Sequence, residues 1–165
     1  VWHGPEAERH DFRSNNISIE VKASGTKRKS CKIGSLEQLD TPDDAKLYLQ
    51  FYQLERDDLG YSIPQLIKDI EKYGISKVDL ERKLNDLNYD FEHEKFYDDS
   101  KNRYRTIFNG FYEVDDEFPK IISSSFVNSK LPKNIMELSY KINLSDIQEM
   151  GYEEKNIIMN KLSKS

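Results

Sequence analysis

The stretch "HDFRSNNISIEVKAS", residues 10–24, decides the fold of this chain. From Ile17 onward apolar and polar residues alternate, which is typical of a strand with one buried face. Asn15 and Asn16 tolerate the positive φ of a tight turn, so the residues before them should run back antiparallel to this strand. Phe12 and Ile19 then face each other on the apolar side. The stretch therefore predicts a β-hairpin.

In this register the hairpin places two acids side by side, since Asp11 stands opposite Glu20. Facing residues have Cβ atoms roughly 4.5 to 5.5 Å apart, and like charges there are destabilising unless something compensates them. A divalent cation compensates them, and oxygen ligands at that separation suit Mg²⁺. Lys22 lies on the same face and could orient a water or stabilise charge developing at phosphorus. The arrangement predicts metal-assisted phosphodiester hydrolysis.

The same residues have other interpretations. Glu20 and Lys22 could be ordinary solvated charges on the wet face of an amphipathic strand. Two facing carboxylates could also serve a retaining glycosidase, in which about 5 to 5.5 Å separates the acid from the nucleophile. An adjacent lysine fits phosphate better than sugar.

Further elements follow from hydrophobic period, caps and turn residues along the chain. The predicted strands are 27–34, 45–56, 103–114, 118–126 and 134–144, and the predicted helices are 35–40, 62–74, 76–89 and 152–162. Ser35 and Ser62 are the expected N-caps of the first two helices, and Gly74 is the expected end of the second. Strands mixed with helices indicate an α/β or α+β fold.

Composition limits the class of protein. A chain of 165 residues that is 36% hydrophobic and 33% charged fits one globular domain with one core. The net charge of −5 gives no overall attraction to nucleic acid, so such binding needs a local patch. The single cysteine, Cys31, excludes an intrachain disulfide and indicates a reducing, cytoplasmic location. No apolar run is long enough to cross a membrane, so no membrane association is expected.

A local basic patch is present at "KRKSCK", residues 27–32. Lys27, Arg28, Lys29 and Lys32 could neutralise phosphates beside the acids, which would let a net acidic protein hold DNA. The alternative is a solvated hairpin tip.

The pattern D-x₈-E-V-K, Asp11 through Lys22, resembles the PD-(D/E)XK nuclease signature. Longer segments, among them "ISIEVKAS", "SLEQLD", "LYLQFYQLER" and "LPKNIMELSYKINL", resemble a bacterial family of PD-(D/E)XK motif proteins of unknown function. The resemblance implies a restriction-endonuclease-like α/β (α+β) fold: a mixed central sheet flanked by helices, with an extra C-terminal strand region. Residues 1–165 would form one domain, with a core at about 1–75 and a helical and β extension at about 76–165.

The resemblance also implies roles for individual residues. Asp11 and Glu20 match the metal-binding acids, the carbonyl of Val21 adds a ligand, and Lys22 matches the lysine that positions the attacking water. Gln38 matches a polar residue on the helix after the core strands, although a surface glutamine is an equal alternative. The implied activity is a Mg²⁺-dependent deoxyribonuclease, with Mn²⁺ as a substitute, in bacterial restriction or phage defence.

The implied partners are DNA and other restriction or defence proteins, and a homodimer is compatible with the resemblance. The alternative from another class is a non-catalytic DNA-binding or assembly module that keeps the nuclease fold. Zinc is not expected, because one cysteine and three dispersed histidines form no ligand spacing.

Two departures from the family pattern concern the completeness of the site. His10 stands where the proline before the first acid is expected. The upstream helix with its "G-E" pair is missing, and the chain begins at Val1, which indicates a fragment of a longer chain. Glu6 could replace that acid, with an exposed turn residue as the alternative.

Overall fold

A four-stranded mixed sheet forms the centre of the computed structural model, which describes residues 2, 9–14, 16–42 and 44–163. The six strands are β1 (Phe12–Ser14), β2 (Ile17–Ser24), β3 (Ser30–Ile33), β4 (Lys46–Tyr61), β5 (Tyr104–Glu113) and β6 (Tyr140–Asn143). The central sheet has the order β1-β2-β4-β5, while β3 and β6 form a separate two-stranded ribbon. The expected mixed α+β, restriction-endonuclease-like architecture is confirmed.

The first hairpin has the predicted register. β1 is antiparallel to β2 with Phe12 opposite Ile19 and Ser14 opposite Ile17. Of the two expected turn residues, Asn15 lies outside the described residues. β2 continues the sheet in parallel with β4, whose other edge is antiparallel to β5. A short hairpin thus leads directly into a buried strand, which fixes the position of the residues that follow the turn.

The helices are α1 (Ile63–Lys72), α2 (Lys77–Asp86), α3 (Glu94–Tyr97) and α4 (Tyr152–Ser163). α1 begins as predicted, because Ser62 and Gln65 form a reciprocal capping box. It ends as predicted at Gly74, whose φ of +79° glycine adopts without steric cost. Within the described ranges no helix is long and apolar enough to cross a membrane, since even α4 has only 12 residues.

Both faces of the central sheet are covered. On one face the β3–β6 ribbon packs its apolar side chains onto β4 and β5. On the other face α4 inserts Ile158 among residues of β2, β4 and β5. The first core contains Cys31, Ile33, Leu39, Leu47, Leu49, Phe51, Tyr112, Val114, Phe118, Ile142 and Leu144. The second core contains Ile17, Ile19, Tyr48, Phe111 and Ile158.

Several predicted elements differ from the observed ones. The strands expected at 27–34 and 45–56 are Ser30–Ile33 and Lys46–Tyr61. Residues 118–126 contain no strand, only a 3₁₀ turn at Ser123–Ser125. The strand expected at 134–144 is confined to Tyr140–Asn143. The helix expected at 35–40 is a single 3₁₀ turn, Glu37–Leu39, and its N-cap is Leu36 instead of the expected Ser35.

Candidate active site

The three candidate residues of β2 lie in the middle of the sheet. Glu20 and Lys22 register with Leu49 and Phe51 of β4, so they share the face that the β3–β6 ribbon covers. The expected wet face of this strand is therefore wrong: Ser18 is fully buried and Glu20 is 3% exposed. Sequence alternation along β2 marked two chemically different faces, but it could not reveal that a distant ribbon covers the polar one.

Asp11 reaches β2 through its side chain. Pairing between β1 and β2 begins at Phe12, one residue after Asp11. Outside this pairing, the Asp11 Oδ2 accepts a hydrogen bond of 2.8 Å from the backbone N–H of Val21. The N–H and C=O of one strand residue point to the same edge, so the Val21 carbonyl also faces the edge where Asp11 lies. A carboxylate and a backbone carbonyl thus converge at the end of β1.

Glu20 and Lys22 form a largely buried ion pair. Lys22 Nζ lies 2.6 Å from Glu20 Oε1, and the exposed side-chain fractions are 17% for Lys22 and 4% for Glu20. The Lys22 ammonium group therefore lies between the Glu20 carboxylate and the solvent. A lysine in that position can contact an incoming anion without leaving the carboxylate.

Burial raises the pKa of Glu20 to about 7. The hydrogen bond and positive charge of Lys22 lower the pKa of Glu20, whereas the negative charge of Asp11 raises it. The charge of Asp11 therefore acts on Glu20, as expected for two acids that share one site. An additional cation here would stabilise the ionised form of Glu20.

The β3–β6 ribbon forms a wall of the site through Cys31. Burial raises the pKa of the Cys31 thiol to about 11, and the charges of Lys22 and Glu20 also act on it. Sequence reasoning treated Cys31 only as a buried thiol and did not connect it with these residues. It also missed Ser18, two residues before Glu20, whose Oγ is buried and has no hydrogen-bond partner among the described residues. The alternation along β2 placed Ser18 on the face of Glu20 and was the available signal.

Gln38 follows the ribbon, in the 3₁₀ turn Glu37–Leu39. Its Oε1 accepts a hydrogen bond of 2.7 Å from the backbone N–H of Gly34, so this oxygen holds the turn after β3. The predicted catalytic role of Gln38 stays a prediction.

The four predicted DNA-binding residues are in different surroundings. Lys27 and Arg28 are exposed in the turn between β2 and β3, and Lys32 is exposed on β3. Lys29 is half-buried, with Nζ 3.5 Å from the centre of the Phe108 ring. Its ammonium group therefore stabilises local packing through a cation–π contact.

Two residues before β1, Glu6 and His10, bear on the completeness of the site. Glu6 lies outside the described residues. His10 is 4% exposed, as expected for a structural histidine. Burial, followed by the charges of Arg9 and Arg13, lowers the pKa of His10 to about 4 and keeps the ring neutral. A neutral, buried residue beside Asp11 takes the place of the expected proline.

The oxygen donors at this edge fit a hard cation. Across the described ranges, His, Cys, Asp and Glu form no cluster of three or more that could hold a metal. The charge of Asp11 acts on the carboxylate of Glu20, and the Val21 carbonyl faces the edge at which Asp11 lies. Mg²⁺ binds in this way, through one or two carboxylates, while it keeps several waters and takes substrate phosphate oxygens.

The model of the family described as "Putative PD-(D/E)XK family member, (DUF4420)" matches residues 1–145. The chain belongs to this family. Membership confirms the resemblance that the motif and the longer segments indicated. For a PD-(D/E)XK family member, a nuclease-like fold is expected, and the hairpin geometry agrees with it. No curated protein and no solved structure matches the chain significantly.

Proposed function

We propose that this PD-(D/E)XK family member is a Mg²⁺-dependent endonuclease that hydrolyses DNA phosphodiester bonds. The supporting observation is the position of Asp11, whose carboxylate hydrogen-bonds Val21 between Glu20 and Lys22. This contact supports the proposal because it holds Asp11 against the strand that carries Glu20, Val21 and Lys22.

Each residue has a separate task in this proposal. Asp11, Glu20 and the Val21 carbonyl would hold the cation. When bound, Mg²⁺ would supply charge stabilisation to the phosphate and favour ionisation of a water. Lys22, which is partly exposed, would hold the attacking water with its Nζ and neutralise charge that develops on the phosphate oxygens. Hydrolysis forms one P–O bond from water and breaks another, and the leaving oxygen takes up a proton.

The buried ion pair prepares Lys22 for this task. The Glu20 carboxylate accepts from Lys22 Nζ, which fixes the direction of the ammonium group before substrate arrives. A preorganised donor needs little rearrangement during the reaction. We further propose a cytoplasmic protein that acts in bacterial restriction or phage defence, with other proteins of such a system as partners and with Mn²⁺ as a substitute for Mg²⁺.

Plasmid cleavage tests the activity. Supercoiled plasmid is incubated with the wild type, Asp11→Asn, Glu20→Gln and Lys22→Met in Mg²⁺ or Mn²⁺. Matched controls are Lys46→Met and Glu113→Gln, because Lys46 and Glu113 form an ion pair of the same length, 2.6 Å, on the surface. Cleavage that is lost in the first three variants and kept in the controls supports the proposal. No cleavage by the wild type, or equal cleavage by all variants, contradicts it.

A second candidate is a DNA-binding or assembly module without catalysis. The observation that favours it is the direct contact between Glu20 and Lys22, which satisfies the buried carboxylate without a metal. DNA retention by the wild type without cleavage in either metal would support the module.

A further inference from the structure

The β3–β6 ribbon places two lysines directly opposite each other. Lys32 of β3 and Lys141 of β6 are register partners, and both are exposed. Side chains at such positions lie about 4.5 to 5.5 Å apart at Cβ, and like charges there destabilise a strand pair. The ribbon therefore keeps a local repulsion that an anion would relieve.

The outward residues of the two ribbon strands include no acid. Cys31 and Ile142 point inward and are buried, so their strand neighbours point outward. The outward residues are Ser30, Lys32, Lys141 and Asn143. Among them there is no carboxylate, although the chain has 30 Asp and Glu residues against 25 Lys and Arg residues.

Some exposed lysines elsewhere contact carboxylates. Lys46 pairs with Glu113 and Lys72 pairs with Asp69. Within the described part of the chain, neither Lys32 nor Lys141 takes part in an ion pair. The face that carries Lys32 and Lys141 therefore presents positive charge that a bound anion can neutralise.

The ribbon lies between the lysine pair and the candidate active site, because the lysines point outward and Cys31 points inward. Cys31 directly precedes Lys32 on β3, and the charges of Glu20 and Lys22 act on the Cys31 thiol. The basic turn with Lys27 and Arg28 joins the end of β2 to the start of β3. Positive charge therefore continues from the turn onto the outer face of the ribbon.

We propose that Lys32 and Lys141 form a phosphate-binding pair for the backbone of duplex DNA, an inference that rests on the proposed nuclease function. A row of phosphates provides the repeated negative charge that relieves the repulsion. The outward neighbours, Ser30 and Asn143, are polar and can donate hydrogen bonds to phosphate or sugar. A membrane surface fits less well, because it would require apolar side chains beside the lysines.

The test measures binding apart from hydrolysis. Fluorescence anisotropy of a labelled duplex is followed in EDTA between 50 and 200 mM NaCl, concentrations over which phosphate contacts dominate the salt dependence. The variant is the double substitution Lys32→Ala/Lys141→Ala. Its control, Lys68→Ala/Lys95→Ala, removes the same charge from exposed positions on α1 and α3.

We expect the slope of log affinity against log salt to become shallower by about 2 in the ribbon variant, since each lost phosphate contact removes about 0.9. The control should keep the wild-type slope. An unchanged slope, an equal change in the control, or no duplex binding by the wild type overturns the inference. Loss of binding to phosphatidylserine vesicles with unchanged DNA binding also overturns it.

A charge reversal separates folding from binding. Lys141→Glu places opposite charges in register, so the melting temperature should rise while DNA affinity falls. A variant that melts lower and binds DNA as the wild type does contradicts the proposal. If the slope change is found but plasmid is never cleaved, the phosphate pair stands and the proposed hydrolysis fails.

Discussion

Glu20→Gln should stabilise the metal-free protein at neutral and alkaline pH. The substitution keeps the shape of a side chain that is 3% exposed and removes its negative charge. Burial raises the pKa of Glu20 from 4.5 to about 7, despite the contact with Lys22. The folded protein therefore holds this proton more tightly than the unfolded chain does. Ionisation of Glu20 costs folding free energy that glutamine avoids.

The magnitude follows from the two pKa values. At about 1.4 kcal/mol for each pH unit, a pKa raised from 4.5 to about 7 corresponds to about 3 kcal/mol. Below pH 4.5 both proteins carry a neutral side chain and should be equally stable. As pH rises to about 7 the wild type loses stability relative to the variant, and above it the difference stays constant. About 3 kcal/mol corresponds to roughly 6 to 12 °C for a chain of this size.

The assay is chemical and thermal unfolding in EDTA at pH 4.5, 6 and 8, and the measured quantity is the difference between variant and wild type. Glu113→Gln is the control, because an exposed ion pair contributes only about 0 to 1 kcal/mol. Added Mg²⁺ should stabilise the wild type and not Glu20→Gln, since binding to the folded state alone raises stability. A Glu20→Gln variant that is less stable than the wild type at pH 8 would refute the reasoning.

Three further predictions concern pH and packing. The proposed Mg²⁺ binding requires ionised Glu20, whose pKa is about 7, so calorimetry should show an affinity that falls about tenfold for each pH unit below 7. A flat profile would contradict the proposal. The lowered pKa of His10, about 4, means that the wild type loses stability as pH falls from 6.5, whereas His10→Gln should lose about 3 kcal/mol less by pH 4 in denaturant titrations. Ile158→Ala should cost about 2 to 5 kcal/mol of unfolding free energy, while exposed Ile157→Ala should change it by less than about 0.5 kcal/mol; equal effects would mean that α4 does not cover the sheet.

The first hairpin and α1 could be predicted from residues that are close together in the sequence. The turn residues and the facing apolar pair Phe12 and Ile19 determined the register, and this register brought Asp11 to β2. Ser62 and Gly74 marked both ends of α1, since caps act within a few residues. These features depend on neighbours in sequence, so the sequence was sufficient to predict them.

Long-range packing accounts for what was missed. Glu20 looked exposed because the ribbon that covers it includes β6, more than a hundred residues later. The pairing of Lys141 with Lys32 depends on the register in which Cys31 faces Ile142. Residues 118–126 have strand-like composition, but no strand pairs with them, and Tyr140 instead bonds the backbone of Ile121. A pattern of residue types does not specify which distant segment supplies the partner.

The helix α4 gives the family assignment a practical consequence. The matched family region ends at residue 145, whereas α4 spans Tyr152–Ser163 and buries Ile158 against Ile17 and Phe111. A protein cut at the family boundary would lose Met150, Ile158 and Leu162 and would expose apolar residues of the second core to water. The boundary of the family match therefore falls before the helix that covers this face of the sheet, and a protein ended at residue 145 should aggregate.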